Sequence, residues 1–464
     1  MKKYIKKTFA LSVLAFGSLC ANAQDGALDL DFAPNGMPYV NAIEKLADGR
    51  VMIAYVQSTT GGIKIFNSDG TDAISTFSPV PFQTGFSGNW ISDIIQQQDG
   101  KVLLVNSNNA PKIHRFNLDG TIDQTFQTNI GTGANLKIIK ALLDDDGKIV
   151  LIGDFTSFNG ITKSGIVRLN SDGTIDDTFI TTTQNCDLRD ICHNEYGGYF
   201  LAGMINGVNG QYTYSNTVKL KNDGSIDSTF SAYESDLERI ALLPDNRLIG
   251  VSTSKVIRFN QDGMDSTIAY IGIGPSQAVP SDIHVQADGK IILTGKITTY
   301  SYAGIQPTVN NVFRIYLDGT FDPSFNPGSG PSQGILTSKH TNDGALLVAG
   351  EFWQFDGQSR NYVARLHNAV LPFGIDNNTA IVDEISHHDH LVEIYPNPAN
   401  HSIHIESSET VEIIEIVNEL GQLVFKGKCD FSGFIDVSDF SSGVYLVNLK
   451  FESGSNTMRR FIKK

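Results

Sequence analysis

Histidine and aspartate clusters are the residues of this sequence best suited to bind a metal ion. The run His-His-Asp-His at residues 387–390 suits divalent transition metals, and three aspartates at residues 144–146 offer the oxygen ligands that calcium prefers. His193, His284 and His340 each end an apolar run shortly before a turn. Every cluster also has a local explanation, as a solvated linker, a turn or one member of a repeat. We therefore predict no metal site and no cofactor.

No motif of catalysis accompanies these clusters. The sequence has no Gly-x-Ser-x-Gly elbow, His-Glu-x-x-His pair, phosphate-binding glycine loop or Cys-x-x-Cys pair. Cys186 and Cys192 could form a disulfide in an oxidising compartment, with two unpaired thiols as the alternative, and their spacing fits no zinc motif. We predict no catalytic residue, and the sequence favours a non-enzymatic role.

The N-terminus has the three-part pattern of a secretory signal peptide. Four lysines precede an apolar stretch over residues 9–19, and Ala-Asn-Ala at residues 21–23 predicts cleavage between Ala23 and Gln24. Lipidation of Cys20 is the rival interpretation, but the residue before it is not small. The apolar stretch is too short to cross a bilayer, and no later stretch is long enough. We expect an exported, soluble monomer without a transmembrane segment.

The charge of the chain restricts its partners. The sequence has 50 acidic and 35 basic residues, a formal net charge of −15. An acidic surface repels nucleic acid and anionic lipid, so we expect neither as a partner.

A repeat of about fifty residues runs from residue 25 to about residue 367. Each unit contains two hairpins, because Asp-Gly or a similar pair separates apolar runs and glycine accepts the positive φ of such turns. The first turn recurs at Gly49, Gly100, Gly147, Gly197, Asn246, Gly289 and Gly344. The second turn recurs at Gly70, Gly120, Gly173, Gly224, Gly263 and Gly319. The units predict four antiparallel strands, a to d, but the last unit lacks strand d.

The missing strand is found at the other end of the chain. Residues 25–32 (DGALDLDF) match residues 172–179 (DGTIDDTF), so the N-terminus is predicted to supply the outer strand of the last sheet. A closed ring needs this strand, whereas a linear stack does not. We therefore predict an all-β protein in which residues 24–371 form a seven-bladed β-propeller closed by its N-terminal strand.

Two kinds of residue recur at fixed places in the unit. Strand d ends in an aromatic residue that we predict as inter-blade core: Phe32, Phe77, Phe126, Phe179, Phe230 and Phe325, with Ile268 as the exception. Strand c carries a cation at Arg115, Arg168, Lys219, Arg258, Arg314 and Arg365, with Ile65 breaking the series. Asp29, Asp72, Asp123, Asp176, Asp227, Asp265 and Asp322 face them, which predicts structural ion pairs across the c–d hairpin.

With these residues the repeat resembles the delta-60 repeat proteins. Residues 168–179 match the Arg-Leu-Asn-x-Asp-Gly-Thr-x-Asp-x-x-Phe pattern of that family, and residues 153–160 match its preceding Gly-x-Phe loop. The resemblance covers almost all of residues 25–367 and is most specific in units two, three, four and seven. It implies a β-propeller and no particular reaction.

A second domain follows a polar linker at residues 372–390. Residues 391–464 contain six or seven short alternating strands, which predict a small immunoglobulin-like β-sandwich. This segment resembles the type A sorting domain of the type IX secretion system, through Tyr395, Pro396, Asn397, Pro398, Gly443, Tyr445, Arg459, Arg460, Lys463 and Lys464. The resemblance implies recognition by the secretion machinery and delivery across the outer membrane, to the cell surface or beyond. A plain terminal sandwich is the alternative.

A ligand surface is expected where the repeat varies. We expect the Asp-Gly turns on one rim of the ring and the variable b–c and d–a connections on the opposite rim. Aromatic and cationic side chains there are predicted to bind a glycan or a protein: Trp90, Tyr212, Tyr214, Tyr300, Tyr302, Trp353 and Arg360. Loop packing explains each residue singly. The sequence thus favours a surface or secreted binding protein; the alternative is a lyase or glycosidase acting on extracellular polysaccharide.

Overall fold

A computed structural model describes most of the chain after the predicted signal peptide. The residues described are 24–34, 39–57, 60–73, 91–106, 112–117, 119–144, 146–184, 186–194, 197–213, 216–232, 237–263, 265–272, 277–341, 343–368, 370–372, 392–395, 399–407, 410–418, 423–427, 434–441, 443–451 and 456–463.

The repeat region consists of short strands and one helix. Its first part contains β1 (Tyr39–Lys45), β2 (Val51–Gln57), β3 (Thr60–Phe66), β4 (Ile91–Gln96), β5 (Val102–Asn106), β6 (Ile113–Phe116), α1 (Gln124–Ile130), β7 (Ile138–Leu143), β8 (Ile149–Gly153), β9 (Ser157–Phe158), β10 (Ile161–Thr162) and β11 (Ile166–Leu169). Next come β12 (Thr183–Gln184), β13 (Asp187–His193), β14 (Tyr199–Met204), β15 (Gly207–Val208), β16 (Gln211–Tyr212), β17 (Thr217–Leu220), β18 (Leu237–Leu242), β19 (Leu248–Ser252), β20 (Lys255–Phe259) and β21 (Asp265–Gly272). The last part contains β22 (Val279–Val285), β23 (Ile291–Lys296), β24 (Thr299–Ser301), β25 (Val312–Ile315), β26 (Ile335–His340), β27 (Leu346–Gly350), β28 (Gln354–Phe355), β29 (Gln358–Ser359) and β30 (Val363–Leu366).

Within the described residues most of these strands form seven main antiparallel sheets, one for each repeat unit, and the remaining short strands form three small sheets, β9-β10, β12-β15-β16 and β28-β29. In order, sheets 1 to 7 are β1-β2-β3, β4-β5-β6, β7-β8-β11, β13-β14-β17, β18-β19-β20-β21-β24, β22-β23-β25 and β26-β27-β30. The predicted d strand is full length in sheet 5 and shrinks to a single bridge elsewhere, as between Leu169 and Ile175. In sheet 2 the helix α1 follows the corresponding bridge. The Asp123 side chain accepts the Phe126 N–H and so caps this helix.

The seven sheets form a closed ring. The first strand of each sheet contacts the first strands of its two neighbours, and β26 of sheet 7 contacts β1 of sheet 1. Leu28 bridges Leu366, while Gly26 N–H donates to the His367 carbonyl at 2.7 Å and His367 N–H donates to the Ala27 carbonyl at 2.8 Å. The N-terminal segment is therefore the outer strand of sheet 7, and the predicted β-propeller closure is confirmed.

The core of the propeller lies between neighbouring sheets. The residue that ends strand d is buried wherever the structure describes it: Phe32, Phe126, Phe179, Phe230, Ile268 and Phe325. Phe32, for example, packs with Ile53 of sheet 1 and with Leu347 of sheet 7. Burying such a side chain stabilises the fold by about 1.5–3 kcal/mol, so these contacts hold the ring of sheets together.

The cation of strand c pairs with an aspartate of its own sheet, and in several sheets it also bonds the next sheet. The predicted ion pairs are Arg115–Asp123 at 2.9 Å, Arg168–Asp176 at 2.7 Å, Lys219–Asp227 at 3.0 Å, Arg314–Asp322 at 2.8 Å and Arg365–Asp29 at 2.6 Å. Four guanidinium groups also donate to a carbonyl in the c–d turn of the next sheet: Arg115 to Ser171, Arg168 to Asn222, Arg258 to Leu317 and Arg365 to Ser68. We call this contact the arginine clamp.

Sheet 1 keeps the ion pair although Ile65 occupies the expected position. Lys64, one residue earlier, bonds Asp72 at 2.8 Å and its ammonium lies 4.9 Å from the centre of the Phe66 ring. Ile65 does break the series of cations at that position, but the ion pair is kept because the lysine side chain is long enough to reach Asp72 from the neighbouring position.

Charged side chains from the seven first strands encircle the central channel. We call this set the charge ring; in sheet order it contains Glu44, Asp93, Lys140, Asp190, Arg239, Asp282 and Lys339. Glu44 bonds Lys339 at 2.7 Å, and Lys140 bonds Asp190. Signs alternate around the ring except at Glu44 and Asp93, which are neighbouring carboxylates.

Asp93 is the member of the charge ring with the least compensation. Burial raises its pKa to about 6, and the Glu44 carboxylate adds to the rise, although Lys140 and Lys339 oppose it. Its Oδ2 accepts one backbone N–H, from Ala141 at 3.3 Å. At neutral pH the fold therefore holds an ionised carboxylate that would be more stable in water.

The C-terminal domain is a β-sandwich. Its strands are β31 (Val392–Tyr395), β32 (Ser402–Ser407), β33 (Val411–Val417), β34 (Leu423–Gly427), β35 (Phe434–Asp436), β36 (Gly443–Phe451) and β37 (Asn456–Lys463). They form one sheet in the order β31-β32-β35 and another in the order β34-β33-β36-β37. Ile403 of the first sheet and Ile416 and Val447 of the second belong to one buried cluster, so the two sheets share a core.

Replacing Arg365 with alanine should lower the free energy of unfolding by about 2–4 kcal/mol, because buried Asp29 loses its cation and sheet 7 loses its link to sheet 1. Denaturant unfolding of the mature protein measures the loss. Arg50→Ala is the control, since Arg50 pairs with Asp48 at the surface and should contribute less than about 0.5 kcal/mol. Equal losses for both variants would contradict a structural role of the clamp.

Asp93→Asn should stabilise the protein at alkaline pH. Because the folded pKa lies above that of an unfolded aspartate, about 3.9, native stability falls as pH rises from about 4 through 6. The variant should melt about 1–3 °C above the parent at pH 8, with a difference that vanishes near pH 4. Exposed Asp31→Asn should show no such pH dependence. A variant that melts below the parent at pH 8 would refute this assignment.

Candidate functional site

The variable b–c connections lie along the outer edges of the sheets. In sheet 4 the connection forms the hairpin β15–β16, and the Asn209 side-chain amide at its tip donates to the Gly224 carbonyl at 3.0 Å. Gly224 belongs to the c–d turn, so this hairpin folds back toward the Asp-Gly turns, contrary to the expected opposite rim. The hairpin is held there by pairing with β12, which precedes the first strand of sheet 4.

The connection of sheet 6 leaves its own sheet altogether. Its strand β24 pairs with β21 and becomes the edge strand of sheet 5. Tyr300 on this strand is buried, its ring lies 5.3 Å from that of Phe313, and its hydroxyl donates to the Gly319 carbonyl. Tyr302 is half-buried beside it. These two tyrosines attach one sheet to the next, and Tyr300 offers no face to a ligand.

Two aromatic side chains of the predicted ligand set are well exposed. Tyr212 on β16 is 84% exposed, and Trp353 just before β28 is 51% exposed. Trp90 and Tyr214 lie outside the described residues. Ile161 and Ile305 are also exposed. They were not predicted as binding residues, because an aliphatic residue in a loop does not by itself indicate a ligand surface.

Trp353 and Arg360 are brought together on sheet 7. The Arg360 N–H donates to the Trp353 carbonyl at 3.1 Å, and its guanidinium donates to the Leu30 carbonyl at 3.4 Å. Leu30 is 63% exposed and lies on the closing N-terminal segment. We call Leu30, Trp353 and Arg360 the sheet-seven patch. An apolar and aromatic surface joined to a guanidinium is typical of recognition surfaces.

Arg360 is the polar group of this patch. Its side chain is largely buried, and this burial lowers the pKa of the guanidinium. Its Nε is buried without a hydrogen-bond partner among the described atoms. A buried donor of this kind is costly to leave unpaired.

The charge ring is the ionisable cluster that sequence reasoning missed. Five of its members, from Asp93 to Asp282, occupy the same place in their units, just after a β-bulge. An alignment of the units would have found them. Their charges are largely compensated by one another, so the arrangement supports the channel wall and offers no obvious chemistry to a substrate.

The three candidate histidines have structural partners. His340 contacts the Asn368 side chain at 2.8 Å, and burial lowers its pKa to about 4, so it is neutral. His284 contacts the Ser338 hydroxyl at 2.7 Å, and His193 contacts the Leu143 carbonyl at 2.8 Å. Within the described part of the chain, no three His, Cys, Asp or Glu side chains are placed to share a metal ion.

The two neighbouring cysteines are not bonded to each other. Cys186 and Cys192 are both free thiols, and burial raises the pKa of Cys192 far above its usual value. A thiol in that environment stays protonated and unreactive.

Five of the six predicted sorting residues that the structure describes lie on the last two strands. Gly443 begins β36, while Tyr445 is buried against Phe461 and donates to the Ser441 carbonyl at 2.8 Å. Lys463 is largely buried at the end of β37. Arg459 and Arg460 also lie on β37, and Tyr395 ends β31. Pro396, Asn397, Pro398 and Lys464 lie outside the described residues, as does Ala23.

Solved structures match this chain at low sequence identity and with TM-scores below 0.5. PorZ, a surface component of the type IX secretion system of Porphyromonas gingivalis, aligns with 94% of this chain at 15% identity and a TM-score of 0.44. This chain spans 60% of PorZ. Virginiamycin B lyase from Staphylococcus aureus aligns with 72% of this chain and 97% of its own, at 16% identity and a TM-score of 0.45. Neither likeness bears on function, and no curated protein matches the sequence significantly.

Two family models match the sequence. The secretion system C-terminal sorting domain matches residues 393–464. The β-propeller domain of unknown function DUF5122 matches residues 97–126, 145–179, 286–325 and 341–368. The described residues contain no helix that is long and apolar enough to cross a membrane. The chain thus contains delta-60-like DUF5122 β-propeller repeats and a type IX sorting domain, which indicates export to the cell surface or secretion.

Proposed function

We propose that this exported protein is a binding protein, and that its propeller holds an extracellular glycan or protein at the sheet-seven patch. The exposure of Trp353 beside Arg360 carries the proposal. A half-exposed indole offers a flat apolar face for a sugar ring or an apolar side chain, and the neighbouring guanidinium supplies hydrogen-bond donors.

The position of the patch also supports this function. It lies on the outer edge of the closing sheet, where Leu30 and Trp353 leave apolar surface in water. Such surface is costly in a monomer and is often covered by a partner. Tyr212, on the outer edge of sheet 4, is the second exposed aromatic of the predicted set and serves as a separate test position.

Trp353→Ala should weaken ligand binding at least about tenfold, because a central aromatic contact of an interface contributes 2 kcal/mol or more. A glycan array and a pull-down with the mature protein would identify the ligand, and titration would give the affinity. The melting temperature should change little, since half of the side chain is already in water.

Tyr270→Ala is the matched control, since Tyr270 is 56% exposed on sheet 5, outside the patch. Unchanged binding by Trp353→Ala, or equal losses in both variants, would refute the patch. Cleavage of a bound polysaccharide in the same experiment would favour the lyase or glycosidase alternative.

Removal of residues 391–464 should leave the protein in the periplasm, because the sorting domain is the part that the type IX machinery recognises. Cell fractionation and protease accessibility measure the location. A propeller that retains ligand binding after this truncation would confirm that only delivery was lost. Surface delivery of the truncated chain would contradict the role of the domain.

A further inference from the structure

The boundary between sheets 4 and 5 departs from the arginine clamp. Its cation is Lys219, whose ammonium bonds Asp227 at 3.0 Å and lies 5.9 Å from the centre of the Phe200 ring. The carbonyl that corresponds to the clamp acceptors is that of Gln261, directly before Asp262-Gly263 in the c–d turn of sheet 5. Among the described contacts, none joins Lys219 to Gln261. A lysine has no planar fork with which to bind both groups.

A cavity of about 320 Å³ lies at this boundary. Its lining includes Lys219, Phe230, Asn246, Asn260 and Gln261. It adjoins a shallower depression that shares Asn260 and Gln261. The cavity therefore lies where the other boundaries place the head group of an arginine.

The Phe230 ring is the first feature of the cavity that suits a cation. In four other sheets a guanidinium carbon lies over the corresponding phenylalanine, at 4.2 Å for Phe126, 4.7 Å for Phe179, 5.2 Å for Phe325 and 4.8 Å for Phe32. Among the described contacts of Phe230 are the rings of Phe200 and Phe259 but no cation. Phe230, whose counterparts in other sheets bind a guanidinium, lines the cavity here.

Asn246 is the second feature. It stands where the other six units have the glycine of the a–b turn, with φ at +65°. Its Oδ1 is buried and has no hydrogen-bond partner among the described atoms. Together with the Gln261 carbonyl, it gives the cavity two oxygen acceptors, which match the several N–H donors of a guanidinium.

We propose that this cavity binds a guanidinium group, such as the side chain of an arginine in a peptide. The ligand would stack on Phe230 and donate to Gln261 and Asn246, as the internal arginines do at the other boundaries. The charge of Lys219 is balanced by Asp227, and Asp262 also lines the cavity. The site is separate from the sheet-seven patch, so the two can be tested independently.

Titration of the mature protein with N-acetyl-L-argininamide, followed by NMR or calorimetry, tests the proposal. Lys219→Arg should place a guanidinium in the cavity, raise the melting temperature and weaken binding at least about tenfold. Asn246→Gly introduces the glycine of the other turns, which adopts a positive φ without steric cost. This variant should weaken binding about fivefold, because the cavity loses one hydrogen-bond acceptor. Methylguanidinium should compete with the argininamide.

N-acetyl-L-lysinamide and methyl glucoside are the comparison ligands, and both should bind at least about tenfold more weakly than the argininamide. If the Lys219→Arg variant bound the argininamide as tightly as the parent protein does, the proposal would be overturned. Tighter binding of the lysine analogue or the glycoside would also overturn it, because the recognised chemistry would then be different.

Discussion

The backbone pairing of residues 26–28 with residues 366–367 joins the two ends of the repeat region, and the neighbouring Asp29–Arg365 pair spans 336 positions of sequence. Without it, sheet 7 would expose an unpaired edge, and sheets 7 and 1 would lose the buried contacts around Phe32. The pairing also gives Arg365 its position for reaching sheet 1. Closure, inter-sheet packing and the arginine clamp are therefore one cooperative arrangement.

The near-identity of the units makes their departures informative. Arg115, Arg168 and Arg365 each neutralise the aspartate of their own sheet, cover a phenylalanine and bond the next turn. Lys64 and Lys219 fulfil the first of these roles, with Asp72 and Asp227. At the boundary of sheets 4 and 5, none of the described contacts joins Lys219 to the next turn, and a cavity lies there. The repeated positions make structural contacts. Positions that depart from the repeat are therefore the ones available for binding.

Local signals allowed much of the fold to be predicted. Asp-Gly turns, the aromatic end of strand d and the Arg–Asp pairs all act within one unit, so one unit's sequence contains them. The placement of the b–c connections depends on pairing with strands of other units, which no local pattern encodes. Tyr300 was predicted to face a ligand, yet its strand pairs with β21 of sheet 5 and its side chain is buried. The sheet-seven patch brings Leu30 and Trp353 together from opposite ends of the repeat region.

The charge ring has one member from each of seven sheets in the described chain. Positive and negative charges cannot alternate strictly around a ring with an odd number of members, so at least one pair of neighbours must carry the same charge. Glu44 and Asp93 are that pair. A ring of six or eight sheets could alternate its charges throughout. This ring has an odd number of sheets and therefore contains two neighbouring carboxylates. The pair distinguishes one sector of an otherwise nearly rotationally symmetric channel, and a single proton is enough to relieve it.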